Sequence, residues 1–228
     1  MPPIVVVVHS LKIERVYEVI NDAEILSEIK RALGIEAKSV EKLGNDIDEQ
    51  SVLKLIHAIA ECGGKIILSG CGTSAMAARK IAHSLNCIER PALFLTPSDA
   101  VHGGLGVLQA NDFLIMISKG GNTEELIRLL HACKTKRIKL AVVSENADSV
   151  LAQAADIFLK VRVDMEPCRF NMLATASIVA VIAVFDAICV ALMQLTGYTR
   201  ERFFIIHPGG AIGERLLREE QCHESSDF

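Results

Sequence analysis

The feature that most restricts the fold of this chain is a series of short apolar segments that alternate with helical stretches. The segments cover residues 65–69, 92–95, 113–118, 140–144 and 157–163. Each is apolar almost throughout, which is typical of strands buried on both faces of a parallel sheet. The pattern predicts an α/β fold, a three-layer αβα sandwich around a five-stranded parallel sheet.

Helical spacing of apolar residues fills the intervals and the N-terminal part of the chain. We expect helices over about 75–85, 98–102, 123–133 and 149–155, and a helical first 60 residues with a break at Gly44 and Asn45. The predicted organisation is a helical segment 1–46 belonging to the same unit, a domain over 47–217 and a polar tail over 218–228. Residues 4–8 (IVVVV) fit a strand, an arm or a cloning remnant.

One segment, residues 172–195, is apolar enough to be mistaken for a membrane span. Its length matches the roughly 20 residues that a bilayer requires. Asp186 interrupts it, however, and no basic flank lies beside its far end. A helix buried in the core or in a subunit interface is the favoured interpretation, and we expect no membrane association.

Composition narrows the function classes. The 228 residues carry a net charge of −4 and are 50% hydrophobic, which excludes a disordered chain. An acidic balance with two Tyr and no Trp argues against nucleic-acid binding. Seven cysteines without a CxxC pair indicate neither a disulfide framework nor a zinc ribbon. The N-terminus lacks the pattern of a signal peptide, so a cytoplasmic protein that handles a small molecule is expected.

Two polar loops follow neighbouring strands of the predicted sheet. The first loop, residues 70–74 (GCGTS), contains Gly72, Thr73 and Ser74, and it opens a helix. The second loop, residues 118–123, does the same with the candidates Ser118, Lys119, Gly121, Asn122 and Thr123. Glycines permit tight turns, while helix N-termini and hydroxyls donate hydrogen bonds to anions. Together the loops predict a phosphate-binding site that needs no Walker lysine.

Each loop alone is a weak signal, because a Gly/Ser/Thr cluster before a helix is more often a simple capped turn. Gly70, Gly72 and Ala75 also fit the permissive dinucleotide-binding fingerprint. That site requires an acid at the end of the second strand, whereas Glu89 precedes the strand. A dinucleotide site is therefore the weaker alternative, and neither a cofactor nor a metal is expected.

Four further polar residues lie where loops should reach such a site. They are His102, Glu125, Glu166 and His207. Each also has an ordinary explanation: a glutamate in the first turn of a helix, a surface carboxylate before a proline, or a histidine in a glycine-rich turn. Glycines next to both histidines would allow a ligand to approach the backbone closely.

The two loops, together with the stretches AVHGGLGVLQANDFLIMIS, DIFLKV, MEPC and HPGGAIGERLL, resemble the sugar isomerase (SIS) domain, which has a flavodoxin-like fold. The resemblance covers about residues 50–217 and is strongest to the arabinose-5-phosphate isomerases. It implies phosphate binding by Ser74, Ser118 and Thr123, and functional roles for the two glutamates and two histidines named above. It also implies an aldose–ketose isomerase that acts on a phosphorylated sugar, in a homotetramer with active sites between subunits.

The chain departs from that family in three places. Thr73 stands where those isomerases usually have a lysine, and Gly120, Gly121 and Asn122 replace the usual Ser-Gly-Glu of the second loop. Lys119 is a candidate to replace the missing charge. The chain also ends about 20 residues after His207, without the pair of CBS modules found in many relatives, so regulation by nucleotide binding there is not expected.

The chemistry requires a carboxylate that moves a proton between C1 and C2 through a cis-enediol. Glu125 and Glu166 are both candidates for this base, and the sequence does not decide between them. His207 and His102 would serve the sugar oxygens. The alternative function is a non-catalytic sugar-phosphate sensor, which would keep the phosphate site and lose the proton-transfer groups. The identity of the sugar stays open.

Overall fold

A computed structural model describes residues 21–209 of the chain. The five strands are β1 (Ile66–Gly70), β2 (Ala92–Phe94), β3 (Phe113–Ile117), β4 (Lys139–Ser144) and β5 (Ile157–Lys160). All pairings are parallel, in the order β2-β1-β3-β4-β5. The predicted five-stranded parallel sheet is confirmed, and its strand order is that of flavodoxin-like folds.

Nine helices occur within residues 21–209. They are α1 (Asp22–Asp46), α2 (Glu49–Ala60), α3 (Thr73–Asn86), α4 (Pro97–Ala100), α5 (Glu124–Ile127), α6 (Leu130–Lys136), α7 (Val150–Ala154), α8 (Ala176–Leu195) and α9 (Arg200–Ile206). A short 3-10 helix, Gly104–Val107, follows α4. The described residues exclude the 4–8 run, the polar tail and most of the HPGGAIGERLL stretch. The predicted domain limits stay predictions.

Two apolar layers enclose the sheet because alternate strand residues point to opposite faces. On one face, Leu68 and Ile115 pack with residues of α2, α3 and α8, such as Phe185. On the other face, Met116 and Val142 pack with residues of the short helices α4 to α7. The three-layer arrangement is thus confirmed, with the long helices on one side and the short helices on the other.

Several predicted boundaries were wrong. The break expected at Gly44 and Asn45 does not occur, because α1 continues to Asp46 with Leu43 in the core. The chain turns at Ile47, and the Asp48 side chain then caps α2 by accepting the amides of Gln50 and Ser51. The single helix expected over 123–133 is divided into α5 and α6. Helix α9 was not anticipated.

Helix α8 is the one helix in the described part of the chain that is long and apolar enough to cross a membrane by length and composition. One of its faces lies in the core, where Ala180, Phe185 and Leu192 are fully buried. Its other face is open, with Val190 68% exposed. Burial in the core is therefore confirmed for one face, and burial of the other face in a subunit interface stays a prediction.

Candidate functional site

The two loops lie at the point where the chain changes direction across the sheet. Strands β1 and β3 are neighbours, but β1 leads into α3 on one face and β3 leads into α5 on the other. The helices therefore diverge and leave a crevice at the carboxyl ends of these strands. Ligands of open parallel sheets bind in this position. The structure thus brings the first and second loops together, as the sequence predicts.

The first loop turns sharply and leaves its hydroxyl groups without a partner among residues 21–209. A Cβ atom on Gly70 would lie 3.0 Å from the Ser74 carbonyl and 3.1 Å from the Ile117 carbonyl, so the backbone passes closely there. Gly72 has a φ of 56° and no side chain caps the helix α3 that follows. The first amides of α3 and the hydroxyls of Thr73 and Ser74 are thus available to an anion.

The second loop is held together by its own hydrogen bonds. Ser118 Oγ and Thr123 Oγ1 are 2.8 Å apart, and the Gly121 amide donates to Ser118 Oγ at 3.1 Å. Gly121 has a φ of 70°, and a Cβ atom there would lie 2.0 Å from Ser149 Oγ. Only glycine fits this position. The loop is therefore rigid before any ligand binds.

Two candidate phosphate ligands of the second loop are bound elsewhere in this structure. Asn122 Oδ1 accepts the amide of Val150 at 2.9 Å, which connects the loop to the start of α7. Lys119 Nζ donates to Glu166 Oε1 at 2.7 Å. Asn122 thus has a structural role, and the Lys119 ammonium is drawn towards the carboxylate of Glu166.

Glu166 is a buried carboxylate with a complete set of partners. It is 1% exposed, and besides Lys119 it accepts hydrogen bonds from the Ser177 hydroxyl and from the amides of Thr175 and Ser177 at 3.0 and 3.3 Å. Burial alone would raise the pKa of this carboxyl, but Lys119, Ser177 and the two amides together lower its pKa to about 2. Glu166 is therefore ionised at neutral pH and anchors the start of α8.

Glu125 differs from Glu166 in its exposure to solvent and in its position relative to the loops. It lies in the first turn of α5, directly after the second loop, and its side chain is exposed. Its charge acts across the crevice on the first loop: burial, together with the Glu125 carboxylate, raises the pKa of the Cys71 thiol. Glu125 is thus an exposed carboxylate close to both loops.

The two histidines lie on different elements, with His102 after α4 and His207 at the end of α9. His102 is exposed in the turn after α4, at the carboxyl edge beside β1. His207 ends α9, where its Nδ1 lies 2.9 Å from the Phe203 carbonyl and its ring stacks on Phe203. Arg202 of α9 contacts Glu89 at 2.6 Å, just beyond the last turn of α3. The first loop lies at the other end of that 14-residue helix, about 20 Å away by helix geometry.

Sequence reasoning missed Ser177, Thr175 and Asn171, which surround Glu166. Asn171 Oδ1 accepts the Glu166 amide at 2.6 Å, and its own φ is 55°. A Thr-Ala-Ser start to a long apolar helix was the available signal for the first two, because hydroxyl residues favour helix N-termini. Within residues 21–209, no group of three or more metal-binding side chains is arranged to hold a metal ion.

Known proteins share both the sequence and the fold that place these loops. The family model for the SIS domain matches residues 58–191. The arabinose 5-phosphate isomerase KdsD of Yersinia pestis is 36% identical over 188 residues, 82% of this chain and 57% of that protein. KpsF of Escherichia coli O6:H1, an arabinose 5-phosphate isomerase, is 31% identical over 196 residues, 86% of this chain and 60% of that protein. The chain thus spans about three fifths of the length of these relatives.

Solved structures give the same result. A Listeria monocytogenes protein, described as a candidate sugar-phosphate isomerase, is 56% identical with a TM-score of 0.82 and covers 83% of this chain and 100% of its own. An Escherichia coli CFT073 protein in complex with arabinose 5-phosphate is 30% identical with a TM-score of 0.79, and has the same coverage. The residues 58–191 matched by the family model include the whole sheet and both loops.

Proposed function

Because the chain belongs to the SIS domain family, we propose that it is a phosphosugar aldose–ketose isomerase that works through an enediol. The curated relatives named arabinose 5-phosphate isomerase support a reaction of the arabinose 5-phosphate/ribulose 5-phosphate type. The observation that carries the proposal is the crevice between β1 and β3, where one loop offers free donors and an exposed carboxylate faces it.

The phosphate would bind at the first loop and the start of α3. The uncapped amides of α3 and the free hydroxyls of Thr73 and Ser74 supply donors, and the helix dipole favours an anion there. The second loop would form the opposite wall of the site, with Ser118 and Thr123 fixed by their mutual hydrogen bond. Binding the phosphate, far from the reacting carbons, holds C1 and C2 in place.

Glu125 is the proposed base. It would remove the proton from C2 of the aldose while a second group protonates the O1 carbonyl oxygen. The resulting enediol loses the proton on O2 and regains a proton at C1, which yields the ketose. A base must have a free lone pair and a pKa within reach of the operating pH. Glu166 meets neither condition, since four groups donate to its two oxygens and its pKa is about 2.

The two histidines would complete the site, one from the same chain and the other from a second copy. His102 lies at the carboxyl edge and is a candidate to serve the sugar oxygens. His207 follows α9, and Arg202 of that helix is paired with Glu89 at the end of α3 opposite the first loop, about 20 Å from that loop by helix geometry. We therefore place His207 in the site of a second copy. This arrangement requires a homo-oligomer, which we propose to be a tetramer located in the cytoplasm. The open apolar face of α8 supports such an assembly.

The experiment is proton exchange in deuterated water, followed by NMR at C1 and C2 of a panel of sugar 5- and 6-phosphates. The purified protein should label one sugar, and arabinose 5-phosphate is the expected one. Glu125→Gln should lower the exchange rate at least a hundredfold, because general bases contribute about 10²–10⁴-fold.

The matched control is Glu124→Gln. Glu124 lies beside Glu125 in the same helical turn but pairs with Arg128 at 3.5 Å, so this substitution should leave exchange unchanged. Binding of the sugar phosphates without exchange of any of them would contradict the isomerase and indicate the non-catalytic sensor.

A further inference from the structure

The two side chains of the Glu166–Lys119 ion pair differ in their exposure to solvent. The role proposed for Glu125 as the base does not account for this pair. The Glu166 side chain has no exposed surface, whereas the Lys119 side chain is 40% exposed. A buried carboxylate is costly unless its oxygens are fully paired, and here the partners are Lys119, Ser177 and Thr175. The carboxylate is therefore ionised at neutral pH, while the lysine side chain beside it stays partly open to solvent.

Lys119 is held at both of its ends. Its carbonyl oxygen accepts the Ser144 hydroxyl at 2.8 Å and the Glu145 amide at 3.0 Å, so the backbone is fixed to the end of β4. Its Nζ is fixed by Glu166. An ammonium has three N–H donors. One of them points at Glu166, and the other two have no acceptor within residues 21–209.

This arrangement gives the ammonium of a second-loop residue a defined position beside Glu166. An exposed lysine side chain normally loses conformational entropy when it binds an anion, because several of its rotatable bonds become fixed. Here the side chain of Lys119 is already ordered by folding, so little conformational entropy is lost when an anion binds to its ammonium group. The carboxylate that holds the lysine cannot compete for substrate protons, because its lone pairs are occupied.

We propose that Glu166 is a positioning residue that holds the Lys119 ammonium ready for the substrate phosphate, and that Glu166 itself does not exchange protons with the sugar. The identity of the phosphorylated ligand rests on the proposed function. The effect of Glu166 on anion binding does not require turnover and is measured separately.

The test is a double-mutant cycle with Glu166→Gln, Lys119→Met and the combined variant. Dissociation constants for inorganic phosphate and arabinose 5-phosphate are measured by calorimetry, and proton exchange by NMR. Each single variant should weaken binding of both ligands about tenfold, since a charge-assisted hydrogen bond contributes about that much. The combined variant should be no weaker than either single variant, because the two residues act as one unit. Exchange at saturating sugar should fall less than tenfold.

A base role for Glu166 gives the opposite pattern. Glu166→Gln would then abolish exchange with little change in either dissociation constant, and Lys119→Met would not reproduce it. Additive effects of the two substitutions on binding would also overturn the proposal.

Two further variants separate positioning from loss of structure. Ser177→Ala removes another donor to Glu166 without touching Lys119, so it should lower the melting temperature and leave phosphate affinity within about twofold. Lys119→Arg should retain most of the affinity. Equal losses of affinity in Ser177→Ala and Lys119→Met would show a merely structural role. If the wild type binds phosphate with the predicted coupling but exchanges no sugar, the isomerase function fails while the positioning role of Glu166 stands.

Discussion

The two loops at the crevice are built from similar residues but are in different states. In the first loop, the hydroxyls of Thr73 and Ser74 have no partner among residues 21–209. In the second loop, Ser118 and Thr123 bond to each other, and Lys119 is fixed by Glu166. The difference comes from their neighbours. The second loop packs on the loop after β4, where Ser149 lies against Gly121, whereas the first loop opens directly into α3.

This difference implies a division of roles. The second loop is rigid before the ligand arrives and sets the shape of the site. The first loop keeps its donors free, so we propose that it makes new hydrogen bonds when a phosphate binds. A site with one preformed wall and one set of unoccupied donors loses less conformational entropy on binding than two mobile loops would.

The largest expected effect comes from adding one methyl group to a glycine of each loop. Gly121→Ala should lower the free energy of unfolding by about 4 kcal/mol, because the methyl would overlap Ser149 at a φ of 70°. Gly72→Ala has open space at a φ of 56° and should cost only about 2 kcal/mol, from backbone strain. Urea denaturation of both variants measures the two values. Equal losses would mean that the second loop is no more rigid than the first.

The second largest expected effect is a loss of stability in acid, because Glu166, which binds Lys119 of the second loop, becomes protonated. The pKa of Glu166 is lowered from 4.5 to about 2, so the stability from its ionised form is complete above pH 4.5 and is lost as the pH falls towards 2. That loss amounts to about 3 kcal/mol for one group. The wild type should therefore lose about this much more than Glu166→Gln between pH 5.5 and 2.5. Parallel pH curves for the two proteins would contradict the bonding described for Glu166.

The smallest expected effect on stability comes from removing one serine hydroxyl from each loop. Ser74→Ala should change the free energy of unfolding by less than about 0.5 kcal/mol and weaken phosphate binding about tenfold, because its hydroxyl has no partner among residues 21–209. Ser118→Ala should instead cost about 1 kcal/mol of stability, since the Thr123 hydroxyl loses its partner and the Gly121 amide keeps only the Ser118 carbonyl as acceptor. Chemical denaturation and phosphate calorimetry check both. A reversed order of the stability losses would break the comparison.

The sheet and the position of both loops could be predicted from sequence, because they follow from local patterns. Apolar segments such as 113–118 identify strands, and glycines with hydroxyls identify the loops that follow them. The division of the helix over 123–133 was not predictable in this way. It depends on Leu126 and Leu129 both reaching the core, with the Leu129 amide bonded to the Leu126 carbonyl.

The roles within the site depend on tertiary contacts that the sequence does not contain. Glu125 and Glu166 both follow strands and look equivalent along the chain. Only packing shows that Glu166 lies at the start of α8, 11 residues before its partner Ser177, while Glu125 stays exposed. Likewise, the position of His207 depends on α9, which Arg202 and Glu89 attach to the far end of α3.

The most direct test of the division between the loops is amide hydrogen exchange of the wild-type protein with and without arabinose 5-phosphate. We expect the ligand to slow exchange of the Thr73 and Ser74 amides at least tenfold. The Gly121 amide, already bonded to Ser118, should be slow in both states. Protection that appears at the second loop and leaves the first loop unchanged would contradict the division of roles between the two loops.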